Sequence, residues 1–320
     1  MTYLSAAALA RRGAAGSEVR AEAQTPLLNL NEVSLKPPTD ISHPRLSYPV
    51  TLALPTPMSL SPTELERYRR QMQLPGFGEA AQLQLKNTTA LVTGVGGLGG
   101  TAALYLAVAG VGKLILVRGG DLIRDDLNRQ VLMTDDWVGK PRVYKAQQTL
   151  AALNPDIEIE AVCEYVSADN IDALVQQADI ALDCAFDFKE RDLLNGACVR
   201  HGKPMVEAAM NSMEAYLTTI VPGQTPCLTC LYPEKPDWDR WGFGVLGAVS
   251  GTLACLAALE AVKCITGLGE PLFGQLLTMD LARSDFSKLR TFHDPDCPVC
   301  GGISHHPKKM LEPALAVAAR

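Results

Sequence analysis

One six-residue stretch limits the folds open to this chain more than any other. Gly94-Val95-Gly96-Gly97-Leu98-Gly99 follows directly on the apolar run Ala90-Leu91-Val92-Thr93. Glycines at this spacing let the backbone turn tightly and approach a phosphate. The helix that follows offers free N–H groups and the positive end of its dipole. The pattern carries that meaning where a strand precedes it and a helix succeeds it. Both conditions are met: residues 90–93 read as a buried strand, 99–109 as a helix and 113–118 as a second strand. This β-loop-α-β unit predicts a nucleotide site and leaves the nucleotide open.

The alternation continues down the chain. Pro141 suits the first position of a helix. Segments 157–162, 180–184 and 204–207 read as strands, separated by helices at 167–176 and 190–201. Such alternation predicts an α/β, Rossmann-like fold, a mostly parallel sheet with helices on both faces. Segments 215–221 and 275–280 are less regular and predict antiparallel additions toward the C-terminus. Ser61 followed by Glu64 is a capping-box pattern, predicting a helix to about Gln73. Two uncharged stretches, 88–112 and 241–259, are long enough for a membrane span, yet their glycines and serines mark them as buried core. No membrane partner is expected. Residues 1–57 hold seven of the 21 prolines and no periodic apolar pattern, which predicts a disordered arm. Residues 304–320 predict a flexible tail. Length alone, 320 residues, suggests about two domains. The motifs instead run without interruption through 58–303.

Three further groups of residues bear on chemistry. Cys227-Leu228-Thr229-Cys230 and Cys297-Pro298-Val299-Cys300 supply four thiolates for a tetrahedral, structural Zn²⁺ site. The second strand ends in Val117-Arg118-Gly119-Gly120-Asp121, where such folds place the ribose-binding carboxylate; an arginine here is what a reader of a 2′-phosphate would use. Asp125-Asp126-Leu127-Asn128-Arg129-Gln130 reads as an acid-capped helix start whose Arg129 can reach phosphates. Arg67, Tyr68, Arg69 and Arg70 form a basic cluster on the first helix. Of five histidines, His43 falls in the arm, His305 and His306 in the tail, His201 at a helix end and His293 four residues before the last cysteine pair, so a Ser-His-Asp or Cys-His triad has little support. Cys184, Cys198, Cys255 and Cys264 read as small buried hydrophobes. A net charge of −6 and 6% aromatic residues argue against a nucleic-acid partner.

Taken in order, Arg67-Tyr68-Arg69-Arg70-Gln71, the 94–99 loop, Ala109-Gly110-Val111-Gly112, Leu127-Asn128-Arg129-Gln130, Val138-Gly139-Lys140-Pro141, Asn154-Pro155 and the four cysteines resemble the MoeB/ThiF/HesA family. These are ATP-dependent adenylyltransferases related to ubiquitin-activating enzymes. The Arg118 variant is most similar to the HesA branch, found with nitrogen-fixation genes. The resemblance implies that 58–303 is one adenylation domain and that the chain forms a cytoplasmic homodimer with two ATP sites. It implies a carboxylate acceptor, the C-terminal glycine of a small ubiquitin-like or sulfur-carrier protein. By the same resemblance, Arg70 serves the partner's ATP, and Gly94, Gly96, Gly97 and Gly99 meet the nucleotide. Asp125, Asp126, Asn128 and Arg129 lie along the triphosphate, with Arg129 as its clamp. Arg142 stands where the family carries a lysine, with Lys140 nearby, and Asp187 is assigned to Mg²⁺.

The departures matter. Arg118 replaces the ribose-binding Asp, Asp126 an Asn, and Phe186 the magnesium-linked Asp. Asp121 and Asp187 are the candidates to take over the lost carboxylate roles. Residues 232–249 contain no cysteine, so a thioester mechanism is not expected. Two alternatives stay open: a non-catalytic nucleotide-binding scaffold in metal-cluster assembly, and an NADP-binding oxidoreductase.

Overall fold

Strand β1 (Thr89–Thr93) is buried along its length after the first residue, and that burial decides what surrounds it. Ala90 and Val92 point into one apolar cluster and Leu91 into another, so the strand needs a helical layer on each side. In the computed structural model, which describes residues 59–235 and 244–303, it receives both. The arm expected at 1–57, the tail at 304–320 and the start of the 241–259 stretch lie outside the described residues.

β1 pairs in parallel with β2 (Lys113–Val117) on one side and β4 (Ile180–Asp183) on the other. β3 (Glu158–Val162) extends the sheet beyond β2, and β5 (Met205–Asn211) beyond β4, both in parallel. β6 (Glu214–Ile220), β7 (Gln275–Asp280) and β8 (Asp285–Arg290) add antiparallel strands. The order is β3-β2-β1-β4-β5-β6-β7-β8. The chain therefore winds outward from β1 through β3, then crosses to β4. The crevice beyond the C-terminal ends of β1 and β4 is the switch point at which such sheets bind ligands.

One face of the sheet carries α3 (Gly78–Lys86), α4 (Gly97–Ala109), α5 (Arg142–Leu153) and α9 (Gly247–Thr266), with Leu85, Leu106, Leu150 and Leu253 fully buried among them. The other face carries α6 (Ile171–Gln177), α7 (Phe188–His201) and the short α8 (Leu228–Leu231), which bury Val175, Leu194 and Leu228 against Leu91 and Ile115. Helix α9 is long and apolar enough to cross a membrane, and it packs against α4 and β5 as a core helix.

The sequence expectations shift in four places. The first helix is two, α1 (Pro62–Arg67) and α2 (Arg69–Met72), broken at Tyr68. The break buries that ring and lets its hydroxyl accept from Asn154 Nδ2 at 2.8 Å. Helix α4 begins at Gly97, two residues earlier than expected. The acid-capped segment is a single 3₁₀ stretch, Arg124–Asn128, because the Asp126 carboxylate turns back to accept from the Ile123 N–H at 3.2 Å. Cys255 is exposed on α9, so its reading as a core hydrophobe is corrected; Cys184 is partly buried and packs against the core, and Cys198 and Cys264 are buried.

Candidate nucleotide site

The glycine loop turns because its neighbours leave no room for side chains. Gly94 has φ +92°, and a Cβ there would lie 2.7 Å from the Cys184 carbonyl oxygen. A Cβ on Gly99 would lie 1.9 Å from the Gly94 carbonyl oxygen. The loop therefore sits hard against the end of β4, and the N-cap of α4, Gly96, has no side chain to cap the helix. Its first N–H groups are left for a ligand.

In front of them lies a cavity of about 320 Å³, lined among others by Gly94, Gly96, Gly97, Arg118, Asp125, Asp126, Asn128, Arg129 and Arg142. These nine are expected nucleotide-binding residues, and the fold brings them to one wall. Cys184, Ala185, Phe186 and Arg191 close the β4 side, and Val245 and Ser250 the α9 side. Gly99 lies behind the loop. Asp121 does not reach the wall; its carbonyl accepts from Arg142 instead. Lys140 also stays off it, with Nζ on the Asp136 carbonyl at 3.0 Å and over the Trp137 ring. Arg70 lies exposed on α2 and is not part of this wall. Asp187 is the N-cap of α7, its Oδ1 accepting from Glu190 N at 2.8 Å; among the described residues no hydrogen bond reaches its Oδ2.

The charges on the wall are arranged in carboxylate–arginine groups. Asp126, only 1% exposed, faces Arg129 Nη2 and Arg142 Nη1, each at 3.0 Å. Arg129 Nη1 also donates to the Asp125 carbonyl and to Asn128 Oδ1, both at 2.8 Å. Asn128 in turn donates to the Val245 carbonyl at 3.1 Å, tying the segment to the chain just before α9. Arg118 lies 3.5 Å from Glu190 and stacks 5.2 Å above the Tyr165 ring.

A third group was missed by the sequence reading. Arg191, on α7, reaches Asp183 at 3.4 Å and Glu207 at 3.2 Å, and donates to the carbonyls of Ala185 and Ala208. Burial pushes the Glu207 carboxyl up to about 8, with Arg191 pulling the other way. Burial also raises Asp183. The available signal was a carboxylate at the end of each of two apolar strands, since buried acids demand a buried cation.

The four cysteines lie on the opposite side of the sheet from α9. Their sulfurs all fall within 4.8 Å of one another, with Cys227–Cys230 at 3.9 Å, Cys227–Cys297 at 3.6 Å and Cys230–Cys300 at 3.4 Å. Tetrahedral Zn²⁺ with sulfur at about 2.3 Å sets its ligands about 3.8 Å apart, so the donor set could hold that ion. The thiols are poorly placed to ionise together. A hydrogen bond from Cys230 pulls Cys227 down to about 4, while burial pushes Cys300 up to about 12. A cation removes this conflict.

The geometry agrees with the comparisons to known proteins. The family model described as "ThiF family" matches residues 68–299. The chain belongs to the ThiF family. It is 73% identical over 244 residues to "Protein HesA, heterocyst" of Trichormus variabilis, covering 76% of this chain and 91% of that protein. It is 39% identical over 246 residues to "Adenylyltransferase and sulfurtransferase MOCS3" of Drosophila ananassae, covering 75% of this chain and 54% of that one. Among solved structures, E. coli MccB with ATP superposes with a TM-score of 0.66 at 25% identity, over 74% of this chain and 75% of that one. ThiF-family membership thus joins this chain to adenylyltransferases in both sequence and fold.

Proposed function

We propose that this chain is an ATP-dependent adenylyltransferase that activates a carboxylate. The observation that carries the reading is the cavity wall, where the free N-terminus of α4 faces Arg129 and Arg142 across the switch point of the sheet. Backbone N–H groups and two guanidiniums suit a triphosphate. A carboxylate oxygen of the acceptor attacks the α-phosphorus. The bond from that phosphorus to the α–β bridging oxygen breaks, and pyrophosphate leaves with the electron pair. The nucleophile is already ionised, so no proton has to move and no histidine is needed. Catalysis comes from positioning and from arginines aimed at the charge that builds on the leaving group. Mg²⁺ would neutralise phosphate charge, and Asp187, the N-cap of α7 next to Phe186 on the wall, is the carboxylate we assign to hold it.

The acceptor we propose is the C-terminal glycine of a small ubiquitin-like or sulfur-carrier protein, with a role in nitrogenase metal-cofactor assembly. The working unit is a cytoplasmic homodimer in which Arg70 serves the partner's ATP. ATP–pyrophosphate exchange with such an acceptor tests the reading: wild type exchanges and Arg129→Ala falls to background. No exchange with a verified acceptor refutes it. A second reading, a non-catalytic nucleotide-binding scaffold, is favoured by Phe186 on the wall in place of a carboxylate. It is supported if Arg129→Ala retains full function in a strain lacking the native protein.

A further inference from the structure

The end of β2 meets the cavity with a cation where dinucleotide-type folds use a carboxylate. Arg118 follows β2 directly and lines the wall. Taken alone, that position suits a 2′-phosphate. The surroundings point elsewhere. Glu190, 8% exposed, stands behind Arg118 at 3.5 Å and off the cavity wall. Its carboxylate cancels the guanidinium charge. Burial raises the Glu190 carboxyl above the usual carboxylate range, Arg118 pulls it back toward the ionised form, and Asp187 and Asp183 raise it further against Arg191. A phosphate monoester brought to Arg118 would add up to about two negative charges to this group.

The guanidinium remains rich in donors. Its flat face lies on Tyr165, and the Glu190 contact is longer than a good charged hydrogen bond. The edge toward the cavity therefore offers N–H groups without net charge. That combination suits a neutral acceptor: the oxygen of a sugar hydroxyl.

We propose that Arg118 reads the ribose hydroxyls of the bound nucleotide, and that Glu190 is a positioning residue that holds Arg118 and cancels its charge, so that a 2′-phosphorylated nucleotide is rejected. This rests on reading the cavity as the nucleotide site and names the groups that select the sugar. It predicts two separable behaviours. Arg118→Gln loses the preference for a ribose with both hydroxyls. Glu190→Gln keeps the shape of the side chain, leaves the guanidinium charge uncancelled, and gains affinity for a 2′-phosphate. A residue acting only on stability would not produce that gain.

Isothermal titration of the full chain tests this with four probes: ATP and 2′,3′-dideoxy-ATP, both with Mg²⁺, and AMP and adenosine 2′,5′-bisphosphate. Wild type is expected to bind ATP about tenfold tighter than the dideoxy analogue, the effect of losing hydrogen bonds to a charged donor. It is expected to bind the bisphosphate no tighter than AMP. Arg118→Gln brings the ATP preference down to about twofold or less, and Glu190→Gln favours the bisphosphate over AMP by about tenfold. A wild type that already prefers the bisphosphate overturns the proposal, as does an ATP preference that Arg118→Gln leaves unchanged. If wild type binds none of the four, the nucleotide reading itself falls and this proposal with it. The wild-type ratios decide the matter even if a variant fails to fold.

Discussion

Replacing Asp126 separates stability from ligand affinity, because one carboxylate serves two arginines. Asp126 is 1% exposed and Arg142 is 6% exposed at its side chain, so their 3.0 Å pair is buried; Arg129, at 24%, adds a partly screened contact. Removing one member of a buried pair costs about 3–5 kcal/mol, since the remaining charge keeps its desolvation cost. Asp126 also accepts from the Ile123 N–H, and loss of such a cap adds about 1 kcal/mol. For Asp126→Ala the expected loss is about 5 kcal/mol. In a domain of this size that lowers Tm by roughly 10 °C. Asp126→Asn keeps one acceptor oxygen and should lose about half as much.

The ligand effect has the opposite sign. Taking away the carboxylate leaves Arg129 and Arg142 with more net positive charge toward the cavity. Inorganic tripolyphosphate should bind Asp126→Asn about tenfold more tightly than wild type, which corresponds to about 1.4 kcal/mol and lies within what a charge a few ångströms away supplies near a surface. Thermal melts give the first quantity and titration calorimetry the second. Melting of Asp126→Ala within about 2 °C of wild type would refute the buried-pair argument. Weaker tripolyphosphate binding by a folded Asp126→Asn would show that the carboxylate aims the arginines and does not hold back their charge.

Two other consequences can be measured directly. Elemental analysis of the purified chain should find about one zinc, and Cys297→Ser should lower both zinc content and Tm; well under one zinc per chain would remove the metal assignment. The raised Glu207 carboxyl makes stability depend on pH in a defined direction. The folded chain keeps this proton to about pH 8 while the unfolded chain releases it near the ordinary carboxyl value of 4.5, so wild type should lose stability relative to Glu207→Gln as pH rises across that window and level off above it. Parallel stability curves for the two proteins between these limits would refute the raised value.

The sequence was most legible where one local rule decided the outcome. The strand at Thr89–Thr93 and the glycine turn follow from β-branched residues beside glycines that a Cβ would jam. The cysteine frame was equally plain, because spacing defines a metal knuckle without knowledge of the fold. Helix α3 and strand β8 were not anticipated. The buried side of α3 is made by Ala81, Gln82 and Leu85, one of them polar, and β8 is exposed along nearly its whole length, so neither shows a clean apolar period. The partners of the site's arginines were also hidden. Arg191 meets Glu207 across 16 residues and Arg118 meets Glu190 across 72, distances set by crossovers of the sheet. Local sequence shows which residues are charged; only the folded sheet shows which of them cancel.

The acid pair beneath the cavity also bears on how the sheet is assembled. Asp183 and Glu207 are register partners on adjacent parallel strands. Like charges facing each other across a ladder oppose its closure. Arg191, which lies between them in the finished structure, belongs to the helix that connects the two strands. β4 and β5 therefore cannot zip together ahead of α7 without trapping two like charges in a dry layer or taking up protons. Docking of α7 and pairing of β4 with β5 thus support each other.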